Sequence, residues 1–151
     1  FPEDIRLNKI ATRCMKIAQS GQYNFSRCMK RNEIVASRMA ETEFIDEAVH
    51  MIYLLNREYK PFYKWFHRRL KELPILGEKI YMMIENLVKF SFDDVDKKIE
   101  IIEETCKDII TELKRQKIIK NIKSDFLLDY GLEIQRSIAD EKLRNWSPWL
   151  D

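Results

Sequence analysis

Apolar residues recur at every third and fourth position through most of the chain, which is the spacing of helices that bury one face. From Pro2 to about Gln19 the residues Leu7, Ile10, Ala11, Cys14, Ile17 and Ala18 follow this period, and Ser20-Gly21 reads as the stop. Residues 22–31 read as a short helix that lines up Asn24, Arg27 and Arg31 on one face. Asn32 then caps the longest helix, which should end near Tyr59 or Lys60, because Pro61 disfavours a helical residue before it. The stretch from Phe44 to Leu55 is apolar almost all round, a pattern that belongs at the centre of a bundle.

Pro61 suits the first position of the next helix, which divides into an apolar side (Phe62, Phe66, Leu70, Leu73) and a cationic side (Lys64, His67, Arg68, Lys71). A further helix runs from Gly77 to Phe90. Ser91-Phe92-Asp93-Asp94 opens another, whose seam is Val95, Ile99, Ile102, Cys106, Ile109, Ile110 and Leu113. Ser124-Asp125 caps a last helix to about Leu143, in which Gly131 is a soft spot costing about 1 kcal/mol against Ala. The tail Asn145–Leu150, with Trp146 and Trp149, either folds back over the bundle or docks on a partner. The predicted fold class is therefore all-α: one helical bundle of six to seven helices around a long central helix, with residues 1–151 as a single domain.

Composition adds limits. The 151 residues are 45% hydrophobic with three Gly and four Pro, enough for a proper core and too few breakers for an all-β chain. Residues 1–92 hold 16 Lys and Arg against 11 Asp and Glu, a net +5, and residues 93–151 hold 11 against 14, a net −3. That skew is small for a surface that tracks nucleic-acid phosphates, so a local anion site is the better expectation and RNA binding through Lys64, Arg68 and Lys71 the weaker one. Three unpaired-by-pattern cysteines (Cys14, Cys28, Cys106) point to a reducing, cytoplasmic setting, and no apolar run nears a membrane span. Phe1-Pro2-Glu3-Asp4 reads as the start of a helix cut from something longer.

No Gly-rich phosphate loop, nucleophile elbow or zinc-ligand spacing occurs, so the chain is not expected to be catalytic on its own or to hold a metal. His50 falls on the apolar stretch and reads as a core residue. Asp93, Asp94 and Asp96 read as helix-opening acids rather than metal ligands. The candidate binding residues gather at the corner before and after Pro61, where Asn56, Arg57, Tyr59, Lys64 and Trp65 mix polar groups with aromatic rings, and on the short helix with Arg27 and Arg31.

Gly21-Gln22-Tyr23-Asn24 with Arg27 and Arg31, then Phe44, then Leu54-Leu55-Asn56-Arg57-x-Tyr59-x-Pro61-x-Tyr63-Lys64-Trp65 resemble an uncharacterised helical domain that follows the catalytic domain in predicted bacterial nucleotidyltransferases. The resemblance spans about residues 1–75. It implies a polymerase-β-like N-terminal partner domain that binds nucleoside triphosphate with Mg²⁺ in the full-length protein. This chain would then be the C-terminal accessory domain, helping to bind nucleotide or acceptor without the catalytic metals. On that reading Arg27, Arg31, Arg57 and Lys64 neutralise charge, Asn56 and Tyr59 hold the corner or an acceptor hydroxyl, and Trp65 stacks on a ring. The alternative is a helical interaction module that forms a homodimer through the Ile-rich face of residues 95–113 or through the Trp-bearing tail.

Overall fold

A single rod, α3 (Ile34–Leu55), occupies the centre of the structure. Phe44, Ala48, Val49, Met51, Ile52, Leu54 and Leu55 leave at most 1% of their surface to solvent, so this helix is enclosed on nearly every side in its second half. The structure is a computed structural model that describes residues 2–151, and among these it is all-α with no strand. Packed on α3 are α1 (Glu3–Ile17), α2 (Phe25–Lys30), α4 (Tyr63–Leu70), α5 (Gly77–Lys89) and α6 (Val95–Arg115), while α7 (Leu127–Arg136) lies along the other side of α1 and the single turn α8 (Glu141–Arg144) follows it.

The first helix does not stop at Ser20-Gly21. It passes through a π-helical stretch, Ala18–Asn24, straight into α2. Gly21 is needed there for proximity rather than for termination, because a Cβ at that position would collide with the Phe44 ring and lie 3.0 Å from Ile102. The widened turns also aim Gln22 at the start of α7, where its amide accepts from Leu127 N at 2.9 Å and donates to Asp125 O at 2.7 Å.

Asn32 and Pro61 also act differently from the expectation. Asn32 has φ 55° and closes α2 in a Schellman arrangement, with Glu33 N donating to Cys28 O and Asn32 N to Met29 O, so α3 starts after Glu33. The other end of α3 falls at Leu55, ahead of the expected Tyr59 or Lys60. Arg57 takes φ 58°, Glu58 N donates to Tyr53 O and Arg57 N to Leu54 O, and residues 58–62 run as an irregular connector. Pro61 therefore sits before the helix entry, Phe62 is the N-terminal boundary of α4, and α4 ends at Leu70.

The last predicted helix is divided: α7 ends at Arg136 and α8 is separate. The tail folds back, with Gln135 Nε2 donating to the carbonyls of Leu143, Arg144 and Trp146, and Thr12 Oγ1 donating to Leu150 O. The Ile-rich seam of α6 is spent inside the bundle, since Ile102, Cys106, Ile109, Ile110 and Leu113 are buried. Lys98, also on that seam, is fully enclosed and donates to Glu41 at 2.6 Å and to Leu87 O at 2.7 Å, tying α6 to α3 and to the end of α5.

Gly131 is the crossing point of α1 and α7, not a soft spot. A Cβ there would lie 2.7 Å from Met15 Sδ and 2.9 Å from the Ala11 carbonyl oxygen. Gly131→Ala gains about 1 kcal/mol of helix propensity but must displace backbone, so the expected net effect in urea unfolding is a destabilisation of about 1–3 kcal/mol. An unchanged or higher midpoint would show that the helices can separate without cost.

A second consequence concerns pH. Buried Arg13 pairs with Glu47, donates to Asp151 Oδ1 at 2.9 Å and donates from Nη1 to His50 Nδ1 at 2.8 Å, which leaves the His50 proton on Nε2 in the neutral ring. Burial, then the charges of Arg13 and Lys60, push His50 from 6.5 down to about 3. The unfolded ring takes a proton through the whole interval that the folded ring refuses it, so stability falls as pH falls from about 6.5 toward about 3. Glu47 has the opposite sign: burial raises its pKa, so its contribution is present in acid and lost as pH rises. The comparison with His50→Gln isolates the histidine. The stability difference between the two proteins should change by about 2 kcal/mol from about pH 7 to about pH 5, against wild type at the lower pH. A constant difference would contradict a neutral buried ring.

Candidate functional site

The structure separates the predicted binding residues into two places, the C-terminal end of α3 and the segments packed along its outer face. Asn56, Arg57 and the neighbouring Glu3, Arg6, Arg115 and Gln116 meet at its C-terminal end. Arg27 on α2 and Arg31 just past its end belong to one segment packed on α3, and Lys64 and Trp65 to α4.

At the C-terminal end Asn56 is fully used by the fold. Its Nδ2 donates to Ile52 O at 2.8 Å and to Ile75 O at 2.9 Å, and its Oδ1 accepts from Ile75 N at 2.9 Å, so it staples the loop before α5 to the end of α3. Arg57 projects from its left-handed backbone to Glu3, with Nη1 at 3.0 Å from Oε2. The same carboxylate takes Arg6 Nη1 at 3.1 Å. Arg6 is only 1% exposed, donates from Nε to Leu54 O at 2.8 Å and from Nη2 to Gln116 Oε1 at 2.6 Å. Burial, and then the nearby Arg57 charge, lower its pKa, while Glu3 works in the other direction. Arg115, whose Nε donates to both oxygens of Glu112 at 2.7 and 2.8 Å, completes a pocket of about 390 Å³. Neither Arg6, Arg115 nor Gln116 stood out in the sequence as a site residue, although Arg6 falls on the buried stripe of α1.

The outer face of α3 forms the floor of a wide groove of about 1050 Å³. Val35 and Met39 are 74% and 69% exposed there, and with Ile45 and Phe66 they make an apolar surface. Asn24, at the end of the π-helical stretch, and Cys28 of α2 form one wall, and Tyr63 and Phe66 of α4 the other. The polar part of the lining is mainly acidic, from Glu43, Asp46 and Glu47, with Arg38 opposing them. Lys60 pairs with Asp46 at 2.9 Å, and Tyr53 Oη donates to Phe66 O at 2.7 Å, which holds α4 against α3.

None of the predicted residues Arg27, Arg31, Lys64 and Trp65 lines the groove. The Arg27 guanidinium sits 4.2 Å over the Tyr23 ring, and Arg31 is exposed at the end of α2. Lys64 and Arg68 each lie 5.6 Å from the Trp65 ring, a ring that is itself 44% exposed. Tyr59 is exposed on the connector. His67 does not join the cationic ridge: it stacks on Tyr81 at 4.3 Å and meets Glu85 at 3.3 Å, and that hydrogen bond holds the Glu85 carboxyl below its usual range. Lys71 lies 5.4 Å over the same Tyr81.

Among the described residues no three His, Cys, Asp or Glu side chains are grouped to hold a metal ion, and no helix is long and apolar enough to cross a membrane. Cys14 and Cys106 are buried thiols whose pKa is pushed up by burial, so neither is a ready nucleophile.

No curated protein and no solved structure matches the chain. One family does: its description, Domain of unknown function (DUF4037), fits residues 1–66, a span that ends just beyond Trp65 and so takes in α1 to α3, the Arg57 corner and both walls of the groove.

Proposed function

We propose that this chain is a non-catalytic helical accessory domain of a nucleotidyltransferase, whose groove over α3 binds the acceptor. The nucleoside triphosphate, Mg²⁺ and reacting atoms belong on this reading to a polymerase-β-like domain outside these residues. The observation that supports it is the groove itself. Its walls, Asn24 and Cys28 on one side and Tyr63 and Phe66 on the other, belong to the same segments as Arg27 and as Lys64 and Trp65, which do not themselves line it. Nucleotidyl transfer depends on positioning and charge neutralisation, so a partner domain contributes by holding an acceptor on the groove floor. The exposed Val35 and Met39 favour a flat or aliphatic acceptor, and Glu43 favours one that carries an amine.

Calorimetric titration tests this with the aromatic amine tryptamine, a cation near pH 7, on the wild type and on Met39→Lys. Met39 is exposed, so the variant should keep its melting temperature. Tryptamine affinity should fall by about tenfold, the cost of a charge in an apolar contact. Failure of tryptamine to bind, or binding unchanged by the substitution, removes the reading.

The same bare apolar strip favours a second reading, a helical interaction module in which the groove pairs with another copy. Of the dimer surfaces first expected, the α6 seam is engaged in the core, while the tail is tied to α1 through its backbone and keeps Trp146 and Leu150 exposed; the homodimer read here uses Val35 and Met39. Light scattering should then report a dimer that Met39→Glu converts to monomer. A monomer at all concentrations excludes it.

A further inference from the structure

Away from the groove, the end of α3 holds more positive charge than the fold itself uses. Three guanidinium groups, from Arg6, Arg57 and Arg115, border the 390 Å³ pocket, a size at the lower end of small-ligand sites. Arg6 and Arg57 share one carboxylate, that of Glu3, and Arg115 is paired with Glu112. The Glu3 carboxylate is a loose occupant, since its side chain is 50% exposed and lies in the first turn of α1. The buried guanidinium, by contrast, is fixed, because Arg6 is held by Leu54 O and Gln116 from within the bundle.

We propose that this pocket is a binding site for a phosphate group, held by Arg6, Arg57 and Arg115 in the place now taken by the Glu3 carboxylate. The charges balance in that exchange. With Glu3 turned out to solvent, the three arginines and Glu112 leave two positive charges, which a phosphate near pH 7 meets with about −1.5 to −2. Planar guanidinium forks suit the oxygens of a phosphate and can be shared between two of them. The position of Arg57 adds an independent reason. A residue with φ 58° at the end of a Schellman turn is one where glycine is strongly favoured, and arginine there sends its side chain across the pocket mouth. The phosphate can be free or carried by a nucleotide, and the chemistry recognised is the same.

The test measures inorganic phosphate and AMP separately on the full chain. Calorimetry gives the affinity, and the Nε–H resonances of the arginines in a ¹⁵N-labelled sample give the location. Phosphate should shift the Arg6 and Arg57 resonances, and Arg57→Gln and Arg115→Ala should each weaken it by about tenfold, the worth of one charge-assisted hydrogen bond. Glu3→Gln should tighten it, by about threefold or more, because the competing carboxylate loses its charge. A purely structural cluster has no reason to bind an anion better when its own acid is removed. AMP tighter than phosphate assigns the carried group, and equal affinities assign the free anion; both support the site. The proposal is overturned if neither ligand moves the arginine resonances, or if binding persists unchanged in Arg57→Gln and is not improved in Glu3→Gln. Met39→Lys, at the groove, should leave phosphate binding as it is, so this result and that for the acceptor groove are read independently.

Discussion

The end of α3 is the constraint from which the rest follows. A helix leaves its last carbonyls without intrahelical donors, and water normally supplies the missing partners. Here the last turn is enclosed, with Leu54 and Leu55 almost without exposed surface, so protein groups must do it. Leu54 O takes Arg6 Nε from the start of α1, Leu55 O takes Gln116 Nε2 from the end of α6, and Ile52 O takes the Asn56 amide, which also grips the loop before α5. Satisfying one buried helix end therefore brings three other elements to the same spot. The cluster of arginines is a by-product of that requirement, since a guanidinium that reaches a buried carbonyl has further donors to spend.

Opposite charge marks the two regions that α3 connects. Its outer face runs beside Glu43, Asp46 and Glu47, whereas its far end is ringed by Arg6, Arg57 and Arg115. At 1.5 Å per residue the helical path from Met39 to Asn56 is about 25 Å. On the two proposals, a phosphate beside Arg57 and an acceptor over Met39 would be too far apart to react with each other. If both are occupied, they act as separate recognition events on one rigid helix, and the arginine pocket reads as an anchoring or sensing position.

Much of the architecture was legible because periodicity reports burial directly. The apolar run from Phe44 to Leu55 did become the enclosed half of the central helix, and the Ile-rich stripe after Val95 did become a core seam. What was misread is punctuation. Ser20-Gly21 looks like a helix stop, yet Gly21 is small because the Phe44 ring presses on it; Gly131 looks weak, yet it is where two backbones meet. Proline misled in the other direction: Pro61 was given the end of α3, but Arg57, four residues earlier, turns the chain in a conformation that arginine rarely adopts. Close approach and left-handed turns are tertiary decisions, and a local pattern carries no information about what lies across from it. The same limit scattered the candidate site, because Asn56 and Lys64 are close in sequence while the turn between them sends their side chains to different faces.

The buried charges did leave a trace, in a form that periodicity can use. Arg6, Ile10, Arg13 and Ile17 step by four, three and four along one stripe of α1, and all four are buried. Val95, Lys98 and Ile102 step by three and four on α6, as Ser37, Glu41 and Phe44 step by four and three on α3. A charge at a seam position is thus the signature of an enclosed ion, whereas the same residue one place away is a solvated one. The partner cannot be read this way, because Lys98 reaches Glu41 across 57 positions and Arg6 reaches Gln116 across 110. Once each is enclosed, however, the cost of an unpaired buried ion removes most alternative packings. Lys98 must find both Glu41 and the Leu87 carbonyl, which holds α6 in register against α3 and α5, and Arg6 must find the open end of α3, which sets α1 against it. The charges that interrupt the apolar stripes are in this way what restricts the helices to one arrangement, and the arginine pocket lies where that restriction is tightest.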